Sequence, residues 1–256
     1  APHQRFTEDA LRILRLYRFA ARFGFAIDPP TAQAAQKLCA HLDCVSVERI
    51  EEELAKLLSA PAPAAYLNEK ILGVVLPELS PEALAAAKPV VDACPAGAEN
   101  LPIRLAALLL SLGEDGTRRT LRRLRCSNAC IEETAVLVRE VVSGVPVSLN
   151  IYARRLLGKY NLCTVQRIAA LGTALQPERA ADFAVLSELA EQLDADGVCC
   201  RVSQLAVNGR DLMAAGIPAG PGIRKVLEAL LDGVIREEYP NERQALLAAV
   251  QQFAAS

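Results

Sequence analysis

The amino-acid sequence predicts an all-α protein built as an elongated array of helical units. Leucine and alanine recur at helical spacing along almost every segment, and no run of alternating valine, isoleucine and aromatic residues reaches strand length. Hydrophobic residues make up 52% of the 256 residues, which is enough apolar surface for one large core or several small cores. Both observations favour helices packed on helices.

The helices are predicted to begin at polar capping residues that precede an acidic or amide side chain. The first helix is predicted over residues 7–23, and the predicted capping residues along the chain are Thr7, Ser46, Asn208 and Asn241. Proline and glycine interrupt the helical pattern at Ser59-Ala-Pro-Ala-Pro, at Cys94-Pro-Ala-Gly and at Gly144-Val-Pro. These breaks predict joints near residues 60 and 146, and therefore three consecutive helical units.

Charge and cysteine usage narrow the class of protein. The net charge of -2 excludes a polycation that coats nucleic acid, so any RNA contact must be a local patch. No apolar run approaches the roughly 20 residues of a membrane span. The eight cysteines form no CxxC pair and read as reduced, which favours the cytoplasm. Cys39, His41 and Cys44 offer three zinc ligands where a structural site needs four, so core packing is favoured.

The predicted first helix concentrates charge on one side. At about 100° per residue, one half of this helix holds Glu8, Asp9, Arg12, Arg15, Arg18 and Arg22. Leu11, Leu16, Phe19 and Phe23 fall within the same half, so the charges are expected to be partly buried. Such arginines need acceptors, which are either carboxylates of a packed neighbour or the phosphates and base edges of a ligand.

The string that begins at Arg5 resembles motif D of the class II tRNA nucleotidyltransferases, whose core is Glu-Asp-x-x-Arg followed by Leu-Arg-x-x-Arg-Phe-Ala. The defining residues are all present: Glu8, Asp9, Arg12, Arg15, Arg18, Phe19 and Ala20. The resemblance implies that Asp9 and Arg12 select the incoming base as a Watson–Crick partner would. It also implies that Arg15 and Arg18 face the bound nucleotide and that Glu8 orients an arginine.

A second string, from Leu42 to Leu58, is similar to motif E of the same family, Val-Ser-x-Glu-Arg-Ile followed by a Glu-Leu-x-Lys run. Taken without the family, it is an ordinary helix capped by Ser46 with Glu/Lys pairs on its surface. The resemblance implies that this helix braces motif D. Glu48, Arg49 and Glu53 are therefore expected to support the site without contacting a ligand.

Five arginines lie within eight positions in the middle of the chain, and the candidate RNA-binding residues are Arg118, Arg119, Arg122, Arg123 and Arg125. Arg118, Arg122 and Arg125 are predicted to share one helical face. Such a run is either a solvated face or a set of phosphate contacts. The resemblance implies phosphate contacts, because the body and tail of this family hold the tRNA backbone. A glycine-rich stretch from Gly216 onwards, preceded by Ser203-Gln-Leu-Ala-Val-Asn-Gly-Arg-Asp-Leu, is similar to the family's tail.

The resemblance implies the C-terminal portion of a CCA-adding enzyme, with a neck (1–60), a helical body (61–146) and a tRNA-binding tail (147–256). The implied partners are the tRNA 3' end, CTP and ATP. Mg²⁺ is implied for the whole enzyme, with its ligands and the catalytic residues in a head expected before Ala1, because the chain lacks a starting methionine and runs straight into a helix. We expect no metal ligand and no catalytic residue in this chain, and the sequence does not predict an oligomeric state.

Three alternatives to a CCA-adding enzyme remain open: an enzyme that adds only CC or only A, the corresponding part of a bacterial poly(A) polymerase, and a non-enzymatic helical interaction module. A His-Asp phosphohydrolase site, which some relatives carry, is not expected. Leu110 and Ser111 stand where histidine and aspartate would be needed. Asp194-Ala-Asp196 before Gly197 is expected to be a helix end, not a metal site.

Overall fold

The structure is a computed structural model that describes residues 2–142 and 148–254. Within these ranges the chain is helical and contains no strand, which confirms the prediction of an all-α protein. The chain divides into two compact units, Ala1–Gly144 with Ala170–Ala180 and Val145–Ala169 with Ala181–Ser256. The predicted joint near residue 146 lies outside the described residues, and the division at residues 60 and 146 stays a prediction. No helix in either described stretch has the length and apolar character needed to cross a membrane.

The first unit holds nine described helices joined by short turns. In chain order they are α1 (Pro2–Glu8), α2 (Leu11–Phe23), α3 (Pro29–Leu38), α4 (Val47–Leu58), α5 (Glu69–Val75), α6 (Pro81–Ala93), α7 (Leu101–Leu109), α8 (Gly113–Arg123) and α9 (Asn128–Val142). The main packing pairs are α1 with α3, α2 with α4, α6 with α7, α7 with α9 and α8 with α9. The predicted breaks after Ser59 and at Cys94 coincide with the ends of α4 and α6, as expected of proline-containing turns.

Several helices of this unit begin where the sequence supplies both a cap and a proline. Asp28 accepts a hydrogen bond from the Thr31 backbone N–H (3.2 Å) and precedes two prolines at the start of α3. Ser80 accepts from Ala83 (3.2 Å) at the start of α6. Such side chains satisfy N–H groups that have no partner inside the helix, and proline loses nothing at this position.

The centre of the first unit is α7, which is buried along its whole length apart from Leu101. It carries a fully buried guanidinium, that of Arg104. This group donates hydrogen bonds only to backbone carbonyl oxygens, those of Leu58 (2.5 Å), Ala60, Pro61 (3.3 Å), Cys94 (3.0 Å) and Pro95 (2.9 Å). Arg104 therefore joins the turn after α4 to the turn after α6. Burial lowers its pKa, but an arginine starts so high that it stays charged.

The second unit contains α10 (Leu149–Lys159), α12 (Ala180–Ala195), α13 (Gly209–Ala214), α14 (Pro221–Ile235) and α15 (Arg243–Ala254), and the boundary between the units falls within α11 (Leu162–Leu175). Helix α14 packs against α10, α13 and α15. The core around it is formed by Cys199, Val207, Leu212, Leu230, Val234, Leu246, Ala249 and Val250. The fold of this unit therefore rests on apolar side chains that α14 buries.

The predicted helix signals of the second unit have mixed outcomes. Asn208 caps α13 as predicted, since its side chain accepts from two backbone N–H groups and Asp211 accepts from the Asn208 N–H (2.8 Å). Helix α12 ends before Asp196 and Gly197, as predicted for that turn. The prediction that Asn241 caps a helix is wrong. Its amide instead accepts from Ala206 and donates to the Gln204 carbonyl, both at 2.9 Å.

Candidate functional site

The charged segment at the start of the chain forms two helices, so the prediction of one helix over residues 7–23 is wrong. Helix α1 ends at Glu8 and α2 begins at Leu11. The Asp9 carboxylate accepts a hydrogen bond from the Leu11 backbone N–H (3.2 Å), and such a local bond competes with helix continuation. Thr7 is inside α1, where its hydroxyl donates to the His3 carbonyl (3.0 Å), and is not a cap.

Asp9 and Arg12 lie close in the chain but do not pair with each other. Arg12 donates from Nη1 to the Arg5 carbonyl (3.2 Å) and to Glu8 Oε2 (3.1 Å). Asp9 Oδ2 lies 3.6 Å from the Arg49 guanidinium. The Asp9 and Arg12 side chains are 28% and 37% exposed, so both reach solvent at the start of α2. A carboxylate and a guanidinium are therefore open to a ligand at this point.

One buried carboxylate, that of Glu53 on α4, contacts two arginines of α2. Its side chain is 5% exposed. Oε1 accepts from Arg15 Nε at 3.3 Å, and Oε2 lies 2.6 Å from Arg18 Nε in an ion pair that lacks the alignment of a hydrogen bond. Arg15 is 43% exposed and Arg18 only 13%. Glu53 therefore holds both guanidiniums of α2 against α4.

Two further side chains of α4 make contacts beyond their own helix. Arg49 reaches Asp9 at the start of α2, as described above. Glu48 pairs with Arg125, which follows α8. The pKa of Glu48 is lowered by a hydrogen bond to its own backbone N–H at the start of α4 and then by Arg125. These contacts link α4 to the start of α2 and to the residue that follows the end of α8. The Glu48–Arg125 pair was not predicted from the sequence.

The arginine cluster of α8 is largely committed to carboxylates of the first unit. Arg118 contacts Glu114 (3.0 Å) and Glu132, and both carboxylates raise its pKa. Arg123 makes a bidentate contact with Glu78 at 2.6 and 2.7 Å. Because these charges are neutralised locally, they are poorly placed to attract phosphates.

The other three arginines of the cluster differ from this pattern. Arg125 has a positive φ of 58° beyond the end of α8, so the prediction that it shares a helical face with Arg118 and Arg122 is wrong. Arg119 and Arg122 are exposed, and within the described residues neither forms an ion pair. The cluster therefore presents two uncommitted guanidiniums to solvent.

No metal-ligand group is found in the described part of the chain. Among those residues, no three His, Cys, Asp or Glu side chains are placed to hold one ion. The Cys39 thiol is buried and donates to the Gln36 carbonyl (3.1 Å), whereas Cys44 is exposed. Cys39 is therefore a packed core residue. Leu110 and Ser111, at the position of the phosphohydrolase site in some relatives, lie in a helical turn after α7.

Two family models match this chain. The model for tRNA nucleotidyltransferase domain 2 matches residues 103–250. The model for the RNA and SrmB-binding site of polymerase A matches residues 24–82. The two matches together span most of the sequence and both lie beyond α1 and α2, so they are independent of the charged segment at the start of the chain.

Curated relatives match over nearly the whole chain. The CCA-adding enzyme of Geobacillus stearothermophilus is 29% identical in an alignment of 253 positions that covers 96% of this chain and 60% of the relative. The CCA-adding enzyme of Levilactobacillus brevis is 30% identical in an alignment of 258 positions that covers 97% of this chain and 62% of the relative. The chain thus spans about three fifths of the length of these relatives.

Solved structures show the same fold. The Bacillus stearothermophilus CCA-adding enzyme in complex with CTP matches with a TM-score of 0.81 at 27% identity, over 99% of this chain and 64% of that chain. The Thermotoga maritima CCA-adding enzyme complexed with tRNA matches with a TM-score of 0.62 at 18% identity, over 97% of this chain and 62% of that chain. The second likeness is one of fold alone.

Proposed function

The chain belongs to the tRNA nucleotidyltransferase family, and from this premise we propose that it is the part of a cytoplasmic CCA-adding enzyme that selects CTP and ATP and holds the tRNA 3' end. The observation that carries the proposal is the start of α2. There Asp9 and Arg12 present a carboxylate and a guanidinium that are not paired with each other. Behind them, Glu53 positions Arg15 and Arg18.

Base selection follows from the hydrogen-bonding groups of the two side chains. A carboxylate accepts and a guanidinium donates. Cytosine and adenine each offer an amino donor beside a ring-nitrogen acceptor, so Asp9 and Arg12 satisfy either base. Uracil and guanine present a carbonyl oxygen to Asp9 and a ring N–H to Arg12. Both contacts are then repulsive, and the site rejects these bases.

The existing contacts leave room for such a ligand. Both hydrogen bonds of Arg12 use Nη1, so the donors on its Nη2 and Nε remain for an incoming base. Asp9 uses Oδ1 for the Leu11 N–H, and its Oδ2 is held by Arg49 only at 3.6 Å. In this proposal Glu8 and Arg49 are positioning residues, since they orient Arg12 and Asp9 without contacting the base.

Asp9→Ala is expected to erode base preference. The unsubstituted chain should bind CTP and ATP more tightly than UTP and GTP, by roughly tenfold or more, since each mismatched edge contact costs about 1–3 kcal/mol. The variant should lose much of this preference, because the carboxylate that distinguishes an amino donor from a carbonyl is gone, while Arg12 still distinguishes a ring-nitrogen acceptor from a ring N–H. Nuclear magnetic resonance titration of the 256-residue chain with each nucleotide measures both values.

The matched control is Asp43→Ala, which removes an exposed aspartate away from α2. It should retain the preference of the unsubstituted chain. An unsubstituted chain that binds all four nucleotides equally well would contradict base reading by this site. So would a preference that is undiminished in Asp9→Ala.

Proteins that transfer nucleotides generally use divalent metal ions, and the enzyme proposed here needs Mg²⁺ at the nucleotide phosphates. The described residues do not fit such an ion, because they bring no three ligating side chains together. In this proposal the Mg²⁺ ligands and the catalytic residues belong to the two fifths of the relatives that this chain does not match. The chain then contributes base selection and tRNA binding, and no chemical step.

The neck (1–60), body (61–146) and tail (147–256) remain our proposed division, with the body and tail holding the tRNA backbone. Of the arginines in the cluster, Arg119 and Arg122 are the two that this role rests on, because Arg118, Arg123 and Arg125 are paired with carboxylates. Phosphate contacts of this kind provide affinity without reading sequence, and they weaken as salt rises.

The double variant Arg119→Gln/Arg122→Gln is expected to bind a tRNA minihelix more weakly. The slope of the logarithm of the binding constant against the logarithm of the salt concentration should become shallower by about one for each lost phosphate contact. Fluorescence anisotropy of a labelled minihelix at several salt concentrations measures this slope. The control Lys37→Gln/Lys88→Gln removes the same charge from α3 and α6 and should leave the slope unchanged. Equal slopes for both double variants would contradict a role for these arginines.

The same measurements separate the alternatives. The match of residues 24–82 to a polymerase A model favours a poly(A) polymerase as the second candidate. Such a protein should bind ATP more tightly than CTP, through contacts beyond Asp9 and Arg12, since these two residues satisfy either base. A helical interaction module should bind neither nucleotide and should show no salt-sensitive affinity for the minihelix, even at low salt.

A further inference from the structure

A cleft of about 560 Å³ lies beside the C-terminal half of α2. Its charged lining consists of Arg18, Arg22 and Lys56, without a carboxylate. The Arg18 charge is offset by Glu53, and Lys56 has an exposed partner in Glu52 (3.3 Å). Arg22 is exposed and has no carboxylate partner among the described residues. The cleft therefore keeps an excess of positive charge.

The wall of the cleft opposite α2 is held in place by the buried Arg104. Ala60 and Pro61 line the cleft, and their carbonyl oxygens accept hydrogen bonds from that guanidinium. These bonds tie the turn to α7, so this wall of the cleft is held in place without a ligand.

An exposed ladder of three aromatic rings lies at the C-terminal end of α2 and just beyond it, near the cleft. The rings of Phe19, Phe23 and Phe25 are stacked, with centroids 6.2 Å apart for the first pair and 5.5 Å for the second. Their residues are 44%, 54% and 63% exposed, and they are three of the five large hydrophobic residues that are most exposed in the described part of the chain. Clustered exposure of this kind marks an interaction surface.

The ladder depends on a glycine turn. Gly24 ends α2 with a φ of 68°, a conformation that favours glycine, and the Phe25 N–H then bonds back to the Ala20 carbonyl (3.0 Å). This turn brings Phe25 onto Phe23. The Arg18 guanidinium lies 3.8 Å from the centre of the Phe19 ring, so a cation of the cleft also borders the ladder.

We propose that this face binds single-stranded RNA, with unpaired bases stacked on the ladder of Phe19, Phe23 and Phe25 and a backbone phosphate in the cleft between Arg22 and Lys56. The inference rests on the proposed function, since it names the part of the RNA that this side of α2 receives. Aromatic platforms beside cationic grooves bind single strands without sequence preference, because every base has a flat face and every linkage has a negative charge. The excess of positive charge favours RNA over an apolar protein segment.

The test compares two minihelix RNAs that differ only in a short unpaired 3' overhang of cytidines. The overhang should strengthen binding to the unsubstituted chain by about tenfold, and Phe23→Ala should abolish most of that gain. Arg22→Gln/Lys56→Gln should reduce the log–log salt slope for the overhang RNA by about one. The control Val185→Ala, at an exposed apolar residue of the second unit, should change neither value.

A direct reporter is available because the chain contains no tryptophan. Phe23→Trp should keep the overhang-dependent gain, and its fluorescence should be quenched by the overhang RNA but not by the blunt minihelix. Phe23 is exposed at the end of α2, so circular dichroism should show the variants folded.

Equal affinity for the two RNAs, or an overhang effect that survives both Phe23→Ala and Arg22→Gln/Lys56→Gln, would overturn the inference. If the Asp9-dependent preference for CTP and ATP persists in that case, the proposed function stands and only this RNA site is wrong. If the nucleotide preference is also missing, the proposed function fails by its own measurement.

Discussion

Replacing Arg104 with methionine is expected to lower the free energy of unfolding by about 4 kcal/mol, the largest effect of a single substitution that we predict. Methionine fills a similar volume but donates no hydrogen bond, so five carbonyl oxygens lose their partner. Two of these oxygens, those of Leu58 and Ala60, are buried together with Arg104 at the turn after α4, where water cannot replace the lost donor. Urea unfolding followed by circular dichroism measures the change.

The control for this prediction is Arg119→Met, which makes the same substitution at an exposed residue and should change the free energy of unfolding by less than about 0.5 kcal/mol. Arg104→Lys should recover only part of the loss. An ammonium carries three donors on one atom, whereas the guanidinium spreads five donors over a rigid fork. A stability of Arg104→Met close to that of Arg119→Met would show that the carbonyl contacts contribute little.

The sequence predicts local structure well where the signal is itself local. The cap and following acid at Asn208, the proline turn after Ser59 and the glycine at Gly197 all act within a few residues, and each lies where it was predicted. Asp9 shows the limit. Its side chain can lie on the charged face of one continuous helix, or it can accept a hydrogen bond from the Leu11 N–H and interrupt the helix. Helical spacing alone does not distinguish these outcomes.

The sequence predicts the charged site less completely, because ion pairs form between distant segments. Arg123 meets Glu78 and Arg125 meets Glu48, 45 and 77 residues away along the chain. A run of arginines therefore reads as a basic patch until the packing of α8 is known. Arg104 is similar, since a single cation in an apolar run gives no sign that its partners are backbone carbonyls of other turns.

The second prediction with a large expected effect concerns Glu53. Glu53→Gln keeps the size of the side chain but removes its charge, and it should lower the free energy of unfolding by about 2–3 kcal/mol. The reason is that Arg18, only 13% exposed, would be left with an uncompensated charge against α4. Arg15 is 43% exposed, so water can replace its lost partner.

This difference in exposure gives a test internal to the site. In double-mutant cycles, Glu53 should couple to Arg18→Met by more than about 1 kcal/mol and to Arg15→Met by less than about 1 kcal/mol. Urea unfolding of the single and double variants measures both couplings. Equal couplings would mean that burial does not set the strength of these pairs.

If Glu53 is also a positioning residue, Glu53→Gln should weaken CTP and ATP binding while the preference over UTP and GTP persists, because Asp9 and Arg12 are untouched. Loss of that preference would instead assign base reading to Arg15 or Arg18, the two arginines that Glu53 holds.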